Sequence, residues 1–204
     1  MKRTIVVGLL VSMLGVAGCG GESAPEASSG PTATSAPELG DEQQIRALID
    51  EQEAAMVGFD FERMAELTCT QYRETVRAQP DTMFPPLSAA GTAEELAAKP
   101  VDMLTEALTQ QYPTASEPNI ARLVDALVRY DEPAYKAANL DILRETTTVT
   151  IDKVENVTVS GDTATADVTT TWKSGSAEPA TSTDANTYRK EEGQWKDCQD
   201  PGSK

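Results

Sequence analysis

Val157-Thr158-Val159-Ser160-Gly161-Asp162-Thr163-Ala164 reads as strand, turn and strand. Ser160-Gly161-Asp162 carries the turn chemistry, and Ala164, Ala166, Val168, Thr170 and Trp172 then alternate strictly with their neighbours, as a half-buried strand does. Upstream, Thr146-Thr147-Thr148-Val149-Thr150-Ile151 is β-branched throughout. Val157 and Val159 keep that parity while Val154 breaks it, so a bulge is expected between Asp152 and Asn156. Downstream, 174–183 reads as a loop, 187–190 as a third strand, Glu191-Glu192-Gly193 as a turn and 194–199 as a fourth strand that carries Cys198. The last third of the chain is therefore a set of antiparallel strands joined by short turns.

Before Thr146 the period is helical. Ile45, Leu48, Ile49, Ala55, Met56 and Phe59 recur on one face of a helix opened by Asp41, with Gln44 fitting a capping box and Gly58 ending it. Asp60 caps a second helix with Phe61, Met64, Ala65, Leu67 and Tyr72 as its apolar set, and Cys69 on it. Pro80, Pro85 and Pro86 make 78–91 a loop. Thr92 and Glu95 form a capping box, Pro100 interrupts the helix they open, and Tyr112-Pro113 closes it. Ser116 then caps the cleanest pattern of all: Ile120, Leu123, Val124, Leu127 and Val128. A last helix with Ala134, Ala137, Ala138, Leu140, Ile142 and Leu143 follows Pro133. Helices followed by strands make the fold class α+β, in one domain over 41–199 with a tail at 200–204.

The first forty residues have another character. Lys2 and Arg3 precede an apolar run from Ile5 to Leu14, and small residues lead into a cysteine at Val16-Ala17-Gly18-Cys19. That is the layout of an export signal over 1–18. The apolar part is about 10–14 residues, short of the ~18–20 that cross a bilayer. Val16-Ala17-Gly18-Cys19 resembles the lipobox of bacterial lipoproteins. The resemblance implies cleavage before Cys19, a diacylglycerol thioether on its sulfur, acylation of the new N-terminus, palmitate among the acyl groups, and a place on the outer face of the cell membrane. Residues 19–40 are rich in Gly, Ser, Ala, Pro and Thr, with Leu39 the one large apolar side chain, and read as a disordered tether.

Charge and cysteine count narrow the classes. The chain holds 33 acidic and 17 basic residues, a net charge of −16, and a signal cut would remove Lys2 and Arg3 as well. Nucleic acid is excluded as a partner, since phosphate contacts require Lys and Arg. Anionic headgroups would repel the chain, so lipid rather than charge must hold it at the membrane. With Cys19 lipidated, Cys69 and Cys198 are an even pair in an oxidising compartment, either disulfide-bonded or two buried thiols.

Three stretches resemble one family: Met64-Ala65-Glu66-Leu67-Thr68-Cys69, Val157 to Ala164 as quoted above, and Tyr188-Arg189-Lys190-Glu191-Glu192-Gly193-Gln194-Trp195-Lys196-Asp197-Cys198. Together they look like exported actinobacterial lipoproteins with a nuclear-transport-factor-two-like, or lumazine-binding-like, cone domain. The resemblance spans about 41–75 and 146–199. It implies a curved antiparallel sheet of about four strands wrapped against N-terminal helices, a conical cavity, and pairing of the helix cysteine with the last-strand cysteine. Nothing carries over to 92–144, which reads as an expanded helical segment. Asp197 stands where such proteins more often carry an aliphatic residue.

Enzymes on that cone commonly use a His–Asp pair or an Asp base with Tyr donors. The chain has no histidine, which excludes the first. An Asp/Tyr site drawing on Tyr72, Tyr188 or Asp167 is the alternative, for a lyase or isomerase. Two cysteines without histidine are not a zinc set, and the acidic residues lack calcium-loop spacing, so no metal or cofactor is expected. Asn156-Val157-Thr158 matches a glycosylation sequon by chance. Phe59, Met64, Tyr72, Trp172, Tyr188 and Trp195 are the candidate pocket lining. The expectation is a non-catalytic binding or accessory protein for a small apolar ligand or a cell-envelope partner, with a purely structural envelope lipoprotein as the other non-enzymatic reading.

Overall fold

The computed structural model describes residues 39–202. The signal segment, Cys19, most of the 19–40 stretch and the last two residues lie outside the described residues. The chain runs through α1 (Asp41–Val57), α2 (Phe61–Leu67), α3 (Arg73–Arg77) and α4 (Gln79–Met83), then a 3-10 turn at Leu87–Ala89. It continues through α5 (Ala93–Ala97), α6 (Val101–Gln111), α7 (Glu117–Val128) and α8 (Glu132–Thr146). The strands β1 (Thr147–Ser160), β2 (Thr163–Ser174), β3 (Ala180–Glu191) and β4 (Gln194–Asp197) follow. They pair antiparallel in the order β1-β2-β3-β4, and the sheet curls into a half-barrel, so the fold is α+β.

The curl has a local cause. β1 slips register against β2 twice, between Ile151 and Lys153 and again between Glu155 and Thr158. Bulged residues bend a strand and add twist. Asn156 sits in the second slip at φ 51°, a left-handed conformation that asparagine tolerates better than most residues. The single expected bulge is thus two, and both Val154 and Val157 stay packed against the core. At the β3–β4 turn Glu192 and Gly193 both have positive φ, the type I′ geometry that matches strand twist.

Two apolar clusters hold the domain. The first joins Ile45, Leu48 and Ile49 of α1 to Ala164, Ala166 and Val168 of β2, with Tyr188 and Trp195 from β3 and β4. The second is helical: Leu96, Leu104, Ile120, Leu123, Val124, Leu127 and Ile142, over Leu87. α8 passes into β1 without a loop, since its C-cap Thr147 is already extended. Arg144 donates from Nε to the Gly58 carbonyl (2.7 Å), tying α8 to the α1–α2 corner. Phe59 in that corner has φ 46° and sets its ring edge-on to Trp172, centroids 6.0 Å apart.

Several local expectations are corrected. Gly40, not Asp41, caps α1, and Gln43 rather than Gln44 reaches back to its amide. Asp41 is drawn elsewhere: its Oδ1 accepts from Lys190 Nζ (2.6 Å) and Trp195 Nε1 (3.0 Å). α2 stops at Leu67, so Cys69 lies beyond the helix and Tyr72 caps α3 instead. The reason is competition from the sheet, because Thr68 bridges to Asp197 and the Cys69 amide donates to the Asp197 carbonyl (2.7 Å). The stretch 78–91 contains α4 and the 3-10 turn, Pro80 standing in the first turn of α4 where its missing N–H costs nothing. β3 begins at Ala180, seven residues before the expected strand, and β4 ends at Asp197, leaving Cys198 just past it. Cys69 and Cys198 lie at disulfide distance, their Cα atoms 5.0 Å apart.

Candidate functional site

Between α1 and the face of the sheet it covers lies a pocket of 370 Å³. The helix contributes Ile49, Gln52 and Met56, spaced i, i+3, i+7 on one face. Ile151 of β1 and Val168, Thr170 and Trp172 of β2 form one wall. Ala180, Thr181, Ser182, Asp184 and Asn186 of β3, with Asp197 and Gln199, form the other. All of these β3 residues but Thr181 alternate, and across the ladder Val168 faces Asp184, Thr170 faces Ser182 and Trp172 faces Ala180. The α1–β2 side is therefore mostly apolar, with Gln52 and Thr170 its polar members, and the β3–β4 side is mostly polar.

Asp197 is a half-buried polar group of this wall. Gln52 Nε2 donates to Oδ2 (2.7 Å) and the Gln199 amide to Oδ1 (2.8 Å), so both carboxylate oxygens accept hydrogen bonds. Tyr188 pairs with Asp197 across β3 and β4. Its side chain is buried, only 2% exposed, and its hydroxyl has no hydrogen-bond partner among the described residues. Burial, and then the facing Asp197 charge, push the Tyr188 phenol far above its ordinary value. The Asn186 amide tempers that rise without meeting hydrogen-bond geometry. At the rim, Asp184 is exposed and its Oδ2 accepts from Ser182 Oγ (3.0 Å).

Of the six residues nominated as lining, Trp172 lines this pocket, 40% exposed at its mouth. Met64 lines a neighbouring hollow that shares Gln52, Met56 and Asp197 with it. Phe59 supports Trp172 from behind and faces a separate hollow with Phe61 and Leu140. Trp195 and Tyr188 are core: the Trp195 indole is buried beneath Lys190, 5.6 Å from its centroid, with its N–H spent on Asp41. Tyr72 is half-buried at the start of α3 and is not among the residues that line this pocket. Asp167 is tied by Asn156 Nδ2 (2.7 Å) and is not among the lining residues. Reasoning from aromatics thus missed the polar wall. The stretch 180–186 is small or polar at every position, so it carries no apolar alternation and reads as loop.

Among the described residues, one group of three cysteine and acidic side chains is close enough to share a metal ion: Cys69, Glu191 and Cys198. Its two sulfurs are at disulfide distance, so it offers no thiolate ligands. No described helix is long and apolar enough to cross a membrane. No protein family, curated protein or solved structure matches the chain.

Proposed function

We propose that this is a lipid-anchored, extracytoplasmic binding protein that takes a small ligand between α1 and the curled sheet, without catalysing a reaction. The observation that carries this reading is the pocket itself, with a mostly apolar wall on α1 and β2 and a mostly polar wall on β3 and β4. The export layout around Lys2, Arg3 and Cys19, the lipobox resemblance and the resemblance to cone-domain lipoproteins support the location. Two acyl chains hold a protein where one does not.

The competing enzyme reading draws on Asp197 facing Tyr188. It needs a phenol that reaches substrate, and the Tyr188 hydroxyl is sealed in the core. Asp197 is held by Gln52 and the Gln199 amide, which suits an anchoring acceptor. These contacts favour binding over proton transfer.

The test is native mass spectrometry with lipid extraction on protein purified from its own host. A stoichiometric copurifying small molecule is expected. Repeated recovery of empty protein that also crosslinks to no envelope protein defeats the reading. The anchor is tested separately: Cys19→Ala is expected to leave an uncleaved precursor or release soluble protein, and a variant that partitions into detergent like wild type refutes it.

A further inference from the structure

We propose that the pocket between α1 and the sheet continues into the hollow beside it, and that the two together take one elongated, uncharged apolar chain, such as a long alcohol or ester. The inference rests on the binding reading above and names the ligand class. Its ground is a shared lining. The pocket of 370 Å³ and the neighbouring hollow of 250 Å³ have Gln52, Met56, Asp197 and Gln199 in common. Residues that border two cavities stand between them, so these four mark a joint and not an end. Gln52 and Met56 are i, i+4 on one face of α1 and lie along both cavities. The hydrogen bond from Gln52 Nε2 to Asp197 Oδ2 (2.7 Å) spans the joint from helix to sheet.

Apolar surface runs the length of this path. Ile151, Val168 and Trp172 supply it on one side of the joint, Met56 at the joint, and Met64 and Val76 on the other side. The two methionines are unbranched and adapt to a flexible body of irregular shape. By itself the smaller hollow falls below the ~300–1,000 Å³ of small-molecule pockets, so it gains a use as an extension of its neighbour. Charge then selects the class of chain. No lysine or arginine lines either cavity, so an acidic head would lose hydration and find no counter-charge. The carboxylates do not call for a cation either. Asp184 and Asp200 are exposed to solvent, and both oxygens of Asp197 already accept hydrogen bonds, from Gln52 and from the Gln199 amide. What the path offers a ligand is apolar surface with neutral polar groups such as Thr170, Asn186 and Gln79.

The test uses the chain from Gly20 onward, which holds both apolar clusters and no acyl group of its own. Binding of 1-octanol, 1-dodecanol and 1-tetradecanol is read by tryptophan fluorescence and by equilibrium dialysis of the labelled alcohols. Each methylene that becomes buried is worth about fourfold in affinity, and the gain is expected to continue through tetradecanol. Val76→Phe fills the smaller hollow and is expected to abolish the gain beyond octanol while leaving octanol affinity within about twofold. Gln79→Trp, at a half-exposed position of α4 on the same hollow, is the second block should Val76→Phe lose its fold. Tetradecanoate is expected to bind at least about tenfold more weakly than tetradecanol. Affinity that levels off at octanol, or a long-chain gain that survives both blocks, overturns the proposal and leaves the broader binding reading standing. So does tetradecanoate or tetradecyltrimethylammonium binding as tightly as tetradecanol at physiological salt. Failure of every alcohol to bind overturns this inference alone if protein from the host carries a copurified molecule, and overturns both readings if that protein is empty and crosslinks to no envelope protein.

Discussion

Asp41 shows how a residue can be legible in type and misplaced in role. An acidic residue before a helical pattern reads as a cap, and the local sequence offers nothing else. Its partners are Lys190 and Trp195, about a hundred and fifty residues on, and no window along the chain contains them. The hydrogen bond from Lys190, and then that from Trp195, holds the Asp41 carboxyl below its ordinary value. A carboxylate depressed in the fold adds stability above its unfolded pKa, near ~3.9, and loses it as pH falls through the lower folded value. Asp41→Ala is therefore expected to lower the urea midpoint at neutral pH. It should also shrink the wild-type loss of midpoint between about pH 5 and pH 3, and an unchanged acid limb counts against the contact. Tyr188 gives the opposite sign. Its phenol is raised in the fold, so stability is intact below its unfolded pKa of about 10 and declines as pH climbs past it. Tyr188→Phe removes an unpaired buried hydroxyl and with it that decline. Its melting temperature is expected to hold or rise at pH 7, by the equivalent of up to ~1 kcal/mol, with a flatter alkaline limb. A clear loss of stability at pH 7 would mean that the hydroxyl has a partner.

At the scale of elements, legibility followed the number of dry faces. α7 has a continuous buried stripe, Ile120, Leu123, Val124 and Leu127, and its period announces it. β2 is dry on one face at Ala164, Ala166 and Val168 and could be read from alternation alone. β3 from Ala180 to Asn186 is wet on both faces, one side bordering the open pocket and the other solvent. Such a strand writes no apolar period. It is held by its ladder to β2 and by hydroxyl pairs, Thr169 with Thr183 (2.8 Å) and Thr171 with Thr181 (2.7 Å), that only the register reveals. The junction of Cys69 and Cys198 was legible as a pair but not as to its elements, since both lie just beyond the elements that were expected to carry them. It joins the end of α2 to the end of β4, beside the Cys69 amide bond to Asp197 and the Thr70 bonds to Glu191. The cysteines are 129 residues apart, and closing such a loop is worth on the order of 4–5 kcal/mol in the chain-entropy account. A non-reduced digest should show the two peptides linked. Cys69→Ala/Cys198→Ala should lose a comparable amount in denaturant titration. Free thiols at both positions in the exported protein, or a variant as stable as wild type, exclude this role.

The whole domain is built on two cores rather than one. Ile49 belongs to the helix–sheet cluster and Leu123 to the helical cluster, and each is 1% exposed. Connections between the two include the continuous α8–β1 chain, Arg144 on the Gly58 carbonyl, and the Gly175 amide on the Thr146 carbonyl. Within the helical half, Glu145 clamps α8 to α7 by accepting from the Ser116 amide and hydroxyl and from Asn119 Nδ2. Within the other half, the cysteine pair and the Asp41 contacts close α1 and α2 onto β3 and β4. Each half thus has its own apolar cluster and its own polar fasteners, which is the arrangement that lets parts of a protein open at different free energies. Leu123→Ala and Ile49→Ala each remove a comparable buried side chain, at a cost of about 2–5 kcal/mol. Native-state hydrogen exchange separates the two cases. Leu123→Ala is expected to speed exchange in α7 and α8 far more than in β2 and β3, and Ile49→Ala to do the reverse. Opening of the helical half would then leave the pocket intact, because none of its lining residues belongs to α5 through α8. Uniform acceleration across all elements in both variants would instead make the domain one cooperative unit, with α8 and β1 transmitting the loss.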